Sequence, residues 1–454
     1  MRPMNRRGAL ALLGAAAGVG LVGRRLLPPG PSGALASTHD LALDLFRSLD
    51  AESRAHACVP YDDPLRQYHN RGVPAGGVSV FSLPREQRRM TTDLLYAGLS
   101  EPGRSRIPDE YFVKYPGVHV MKLLFCSDPA SPPYQVLLTG PHLNLRIGGA
   151  SREGVAFGGP QVYGDQRGDS EPGLPGNLYA FQLDIGHRLF TSMTADQRGR
   201  ALLPSAPIQT QIELRDADEP IPGVAVSTLG AASRAIASEL VEGVLSTYPD
   251  DDVAFARRCI DENGGVAGMF ASFYRDGEVG GSGVHQIFRL EGPSSVLYFR
   301  GAPHVHAFVN VAMRAGAPLS VGELLGVNPA AIEGAAVKAL FERAMRESTG
   351  AELAYYDASG VVGRLRRGPV RSGDIYNLES WQDTVHVSEV KGADLPEPLV
   401  DDLRSRGPSP DPRRVYRVAG VSSAELLSLS SQSHGVMLRD ATIAYVKAHG
   451  LSSG

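Results

Sequence analysis

Two histidines separated by one residue, His304 and His306, carry the clearest chemical signal in this 454-residue chain. They sit in Leu297-Tyr298-Phe299-Arg300-Gly301-Ala302-Pro303-His304-Val305-His306-Ala307-Phe308-Val309, which reads as two strand-like runs around a Gly-Ala-Pro turn. Residues i and i+2 of a strand point to the same face. Two imidazoles so placed can converge on one metal ion or act together on one substrate. His142 is the third candidate ligand, in His142-Leu143-Asn144-Leu145-Arg146-Ile147, whose clean alternation predicts a half-buried strand with His142, Asn144 and Arg146 on one face. Asn144 is a candidate substrate-binding residue, and His285 and Glu291 are further candidates. Three imidazoles, or two and a carboxylate, suit zinc, iron or copper and leave a position open for water or substrate. The competing reading is that His304 and His306 hydrogen-bond backbone in a polar strand.

Other nucleophiles are poorly supported. Gly-x-Ser-x-Gly is absent, which argues against acyl transfer through a serine triad. Cys58, Cys126 and Cys259 are odd in number and lack Cys-x-x-Cys spacing. They read as one disulfide plus a free thiol, or as three buried thiols.

The N-terminus bears on compartment. Residues 1–36 carry five arginines and no acid, with Arg6-Arg7 ahead of an apolar run to Val22 and a small-x-small site at Ala34-Leu35-Ala36. This predicts a secretory signal of the twin-arginine type, with the export machinery as partner and a periplasmic or secreted product. Removing it would take the five positive charges away and move the formal net charge from −4 to −9. A mildly acidic product argues against nucleic acid or an anionic membrane as partner, and in favour of a small-molecule substrate or ligand. No later apolar run is long enough for a stable membrane span.

The elements that must position the histidines alternate in type. Strand-like stretches are expected at 118–125 and 134–138, helices at 230–247 and 252–263, and a β section at 284–312. Residues 148–177 are a Gly- and Pro-rich loop of the kind that builds a site wall. Recurrent Ser/Thr/Asp-acid-Arg patterns at 48–54, 82–88 and 192–198 read as capped helix starts, and Thr194 with Gln197 has capping-box spacing. Residues 318–329 look like a domain junction, followed by a helix at 330–349 stopped by Gly350 and a final helix at 438–449. The expected class is α+β: mixed helices and antiparallel sheet in an N-terminal domain, 37–318, and a smaller α/β domain, 319–454.

Two resemblances refine this. Leu94-Leu95-Tyr96-Ala97-Gly98-Leu99-Ser100, Gly140-Pro141-His142-Leu143-Asn144-Leu145 and Phe288-Arg289-Leu290-Glu291-Gly292-Pro293, followed by His304-Val305-His306, resemble the family known as domain of unknown function 3500. That family usually has two adjacent histidines where this chain has Pro141-His142. It usually has an acid where Tyr298 stands and an arginine near Val309-Asn310. The resemblance implies a domain and no particular activity. Residues about 320–454 resemble the C-terminal, nucleotide-recognising domain of periplasmic 5'-nucleotidases, through Asp357-Ala358-Ser359-Gly360, Gly373-Asp374-Ile375-Tyr376, Trp381-Gln382-Asp383-Thr384-Val385 and Arg439-Asp440-Ala441-Thr442. It implies substrate-binding roles for Asp357, Trp381 and Asp383. Asp357 stands for the family's Asn, Ser359 for its first Gly and Val362 for its Arg. The Asp-x-His, Gly-Asp-x-x-Asp and Gly-Asn-His-Asp/Glu segments of the two-metal catalytic half are missing.

The expected function is an exported, metal-dependent hydrolase acting on a small, nucleotide-like substrate. The alternatives are a non-catalytic ligand-binding protein with a degenerate nucleotidase C-terminal domain, and a metal-dependent oxidoreductase.

Overall fold

A computed structural model describes residues 37–66, 76–106, 117–140, 142–148, 154–159, 161–165, 178–207, 212–278, 281–317, 321–379, 383–405, 407, 409–421 and 432–451. The signal at 1–36, Pro141, Trp381 and most of the 148–177 loop lie outside them. The described residues form two compact units, one ending at Val321 and the other beginning at Gly322.

The first unit is organised by one large sheet. Its strands are β1 (Cys58–Val59), β2 (Val78–Ser79), β3 (Lys122–Cys126), β4 (Gln135–Gly140), β5 (Leu143–Ile147), β6 (Gln161–Asp165), β7 (Leu202–Leu203), β8 (Val224–Ala225), β9 (Phe270–Tyr274), β10 (Ile287–Gly292), β11 (Ser295–Arg300) and β12 (Val305–Val311). They run in the order β1-β3-β4-β5-β6-β12-β11-β10-β9-β7, with β2 on β3 and β8 on β9. Neighbours are antiparallel except β1 with β3 and β7 with β9. Two strands distant in sequence, β6 and β12, therefore meet at its centre.

Alternation sorts the side chains. Leu145, Tyr163, Ala307, Val309, Leu297, Phe299 and Phe288 join one core with Leu45, Leu94, Leu183, Leu189, Val241 and Ile260 from the helices. The intervening residues face the other way. Val162, Phe308, Tyr298, Val296 and Ile287 gather with Ile212 and Leu214, and Leu124, Cys126 and Leu137 gather with Val59 and Leu65. Helices segregated to one face of a mainly antiparallel sheet make this an α+β unit.

The second unit has its own core. Val337, Leu340, Phe341 and Met345 of the helix Ala335–Thr349 pack with Leu438, Ala441 and Val446 of the helix Leu438–His449. Beside them lies a four-stranded sheet, whose members are Leu353–Ala354, Thr384–Lys391, Val415–Val421 and Gln432–Met437.

Several local expectations hold. The helices at 230–247 and 252–263 occur as Ala231–Leu245 and Asp250–Glu262. Gly350, at φ 63°, ends its helix in the left-handed conformation. Thr194 and Gln197 form a reciprocal capping box, and the Asp50 carboxylate accepts from Ser53 N–H.

Others change. Residues 117–120 form a 3-10 turn, so the strand expected from 118 starts at Lys122. Ser82 does not cap: its hydroxyl donates to Ser79 O, and Pro84 takes the position before the helix. The helix expected from Ala330 starts at Ala335, because Ile332 and Glu333 pair with Leu365 and Arg364 before Gly334, at φ 52°, turns the chain. Pairing outweighs alanine's helix propensity there. All three cysteines are free thiols, with burial pushing Cys126 up to about 12 and Cys259 to about 11.

Candidate metal centre

The site lies on the sheet face away from the main helical core. His306 is the second residue of β12, paired with Arg300 of β11 on one side and with Gly164 of β6 on the other. His304 lies in the turn just before β12. His142 enters from the β4–β5 connection. Alternation places His142 on a strand with Asn144 and Arg146, and here the structure differs. Its φ is +60°, outside the β region, and β5 begins at Leu143. That conformation costs an ordinary residue roughly 1–2 kcal/mol, and such positions concentrate where a side chain must be aimed.

The three rings converge. Nε2 of His304 and Nε2 of His306 are 2.9 Å apart. Ring centroids are 5.0 Å apart for His142–His304, 5.0 Å for His142–His306 and 4.6 Å for His304–His306. One ligand nitrogen from each lies within 4.8 Å of the others. An ion about 2.0–2.1 Å from two nitrogens separates them by about 3 Å at a right angle and about 3.4 Å at the tetrahedral angle. The His304–His306 spacing lies at the short end of that range. Without an ion, it is the spacing of one imidazole N–H donating to the other's lone pair. All three residues are half-buried, so the cluster is sheltered and still reachable. Its donors are all imidazole nitrogens, a set that would suit zinc, iron or copper better than calcium or magnesium.

Gly164, which the spacing of the histidines does not single out, makes the convergence sterically feasible. A Cβ there would lie 2.2 Å from Val305 O and 3.2 Å from His142 Cδ2. The missing side chain lets β6 and β12 pair closely and leaves room for the His142 ring. An isolated glycine inside the strand-like run Val162-Tyr163-Gly164-Asp165 is the signal that could have found it.

Arg300 is a second residue that motif spacing misses. Its Nη2 is 3.5 Å from His304 Nε2, which puts a permanent cation at the edge of the cluster.

The other candidates separate. Asn144 is only 1% exposed and is in register with Val162, which is in register with Phe308, so it shares the face of His306. Its Oδ1 accepts from Arg146 Nη1 at 3.3 Å, and its Nδ2 has no partner among the described residues. Burial pushes the Arg146 guanidinium down to about 10, with Arg66 adding to the shift and Cys126 opposing it. His285 lies apart from the cluster, with its ring edge-on to Phe190 of the helical core at 4.8 Å. Burial lowers its pKa. Glu291 forms a buried ion pair on each side, with Arg215 at 2.8 Å and Arg289 at 3.0 Å. Burial raises its pKa while the two arginines oppose the shift.

In the second unit, Asp357 Oδ1 accepts from Ser359 N–H at 2.9 Å and caps a short 3-10 turn. Asp383 is buried and uses its backbone to hold the chain: its N–H donates to Glu379 Oε1 and its carbonyl accepts from Leu438 N–H.

Two family models match successive stretches of the chain. Residues 33–310 match the family described as protein of unknown function (DUF3500), and the chain belongs to that family. Residues 320–432 match the 5'-nucleotidase, C-terminal domain. No curated protein matches the chain. Among solved structures, it is similar to the 5'-nucleotidase precursor from Thermus thermophilus, with 11% identity and a TM-score of 0.26 over 41% of this chain and 52% of that one. The chain thus spans about half the length of that nucleotidase. Among the described residues, no helix is long and apolar enough to cross a membrane.

Proposed function

We propose that this chain is an exported, metal-dependent hydrolase of a small, nucleotide-like substrate. In this reading residues 1–36 are a twin-arginine signal, 37–318 the catalytic domain and 319–454 a recognition domain. His142, His304 and His306 hold one zinc, iron or copper ion. The observation that carries the reading is the meeting of three imidazoles from two distant segments, with one nitrogen of each within 4.8 Å of the others.

Such a metal supplies a Lewis acid and lowers the pKa of bound water toward neutrality. The remaining roles belong to the protein. The half-buried setting limits competing water, and Asn144 Nδ2 is a neutral donor for a substrate oxygen. Asp357, Trp381 and Asp383 are the proposed substrate contacts of the recognition domain. The match to the 5'-nucleotidase C-terminal domain supports a nucleotide-like substrate.

Metal analysis tests the first part, on protein folded and exported in its native host. About one equivalent is expected, lost in the His304→Ala/His306→Ala double variant. Less than about 0.2 equivalents in the wild type, unchanged by that double change, sinks the reading. A thermal shift with nucleosides or nucleotides tests the second part, and absence of any shift counts against nucleotide recognition. One observation favours a second reading, a ligand-binding protein without turnover: the nucleotidase match is confined to residues 320–432, and the two-metal catalytic motifs are absent from the sequence. Hydrolysis of a phosphate ester by the metal-loaded protein, abolished in the double variant, decides between them.

A further inference from the structure

We propose that the second unit docks on an anionic phospholipid surface through the outward face of a short β-ribbon around Val327 and Arg367. The proposal concerns that unit alone and stands independently of the metal reading.

Local pairing builds the face. Strand Leu324–Asn328 pairs antiparallel with Gly368–Arg371, and Ile332–Glu333 with Arg364–Leu365. The connections between these pairs, Pro329-Ala330-Ala331 and Arg366-Arg367, therefore lie opposite each other. Asn328, buried in the ribbon, ties them together: its Nδ2 donates to Leu365 O at 3.3 Å and to Arg366 O at 3.0 Å. One connection is apolar and the other cationic. Val327 is 67% exposed, and Pro329, Ala330, Ala331 and Arg367 are exposed with it. Five large apolar side chains are exposed among the described residues, and two of them, Leu324 and Val327, belong to this one strand. Apolar exposure so concentrated marks a contact surface.

Charge selects the partner. Residues 364–371 carry four arginines and no acid, while residues 324–335 carry one acid, Glu333, so the paired segments hold four positive charges against one negative. The whole chain is net negative, but at physiological salt exposed charges are screened beyond about 8–10 Å, so a surface touching the ribbon meets the local sign. Guanidinium forks match phosphate oxygens, and aliphatic side chains beside them match the boundary between headgroups and acyl chains. A basic patch together with apolar contacts gives the two signals that surface attachment requires. A stable protein interface takes about 20–30 residues a side, far more than this face presents.

The test is sedimentation of full-length mature protein with vesicles of equal parts phosphatidylglycerol and phosphatidylcholine, against vesicles of phosphatidylcholine alone. Wild type should bind the anionic vesicles, and high salt should release it. Arg367→Gln should weaken binding about fivefold, the effect of one arginine near such a surface. Val327→Ser should weaken it about threefold or more through lost apolar burial. Phe81→Ser, at an exposed aromatic outside the ribbon, should change nothing. Circular dichroism checks that each variant is folded. Failure to bind anionic vesicles overturns the proposal, as does equal binding to neutral ones. So does binding that Arg367→Gln or Val327→Ser leaves unchanged. A wild type that ignores vesicles but binds polyglutamate, less so in Arg367→Gln, assigns the face to an acidic protein. A dimer in light scattering that Val327→Ser makes monomeric assigns it to a second copy of the chain. Either of these outcomes also overturns the membrane proposal.

Discussion

Gly164→Ala isolates the packing that lets the three histidines meet. The added methyl carbon would sit 2.2 Å from Val305 O, whereas ordinary contact begins near 3.4 Å. Strands β6 and β12 must therefore separate by about 1 Å at the pair that carries His306. The same carbon lies 3.2 Å from His142 Cδ2 and presses that ring outward. Overpacking of this kind costs about 1–3 kcal/mol. Displacing two of three ligands should weaken metal binding by about 10- to 100-fold, the scale seen when supports of ligating histidines are lost. Chemical denaturation of the chelated protein reads the first effect and calorimetric zinc titration the second. Gly199→Ala is the control, because its Cβ would meet nothing within 4 Å. In the helix Ala195–Ala201 it should be neutral or stabilising by up to about 1 kcal/mol. If Gly164→Ala matches wild type within about 0.5 kcal/mol and binds zinc equally well, the packing argument is wrong.

Two further outcomes concern the frame around the site. Glu291→Ala leaves Arg289 without its buried carboxylate, while Arg215 keeps Glu219 at 2.7 Å, and should cost about 3–5 kcal/mol, measured by denaturation; a loss under about 1 kcal/mol would show that Arg289 finds another partner. His285 has its pKa lowered by burial, so the folded protein binds its proton less readily than the unfolded chain does. Its contribution is therefore present above the unfolded value near 6.5 and is lost as pH falls through it, and His285→Gln should flatten the stability profile below that pH. An identical profile in the variant would remove His285 from the account.

How much is legible in the sequence follows from the range of each interaction. The Thr194–Gln197 cap, the Gly350 stop and the strands around His304 and His306 are decided by neighbouring residues, and patterns of spacing report them well. The two family resemblances are legible because each has its own motifs. The orientation of His142 is not. Alternation assigns a face only while the backbone stays extended, and the left-handed turn at His142 breaks that rule one residue before β5. Parity also links His285 with Glu291, but β10 starts only at Ile287, leaving His285 against the helical core.

The sequence by itself determined which side chains could do chemistry here: histidines as the outstanding candidate ligands, the family of the larger part, and a C-terminal part related to nucleotidases whose catalytic motifs are missing. Only the tertiary structure decided that His142 meets His304 and His306. That meeting depends on β6 and β12 pairing across 140 positions of chain, Val305 with Asp165, and on a glycine at the crossing. Pairings between segments so distant leave no periodic trace in either one. Arg300 therefore reads as an ordinary strand residue, and Gly164 only as a strand glycine of unknown purpose, until the sheet brings them to the centre.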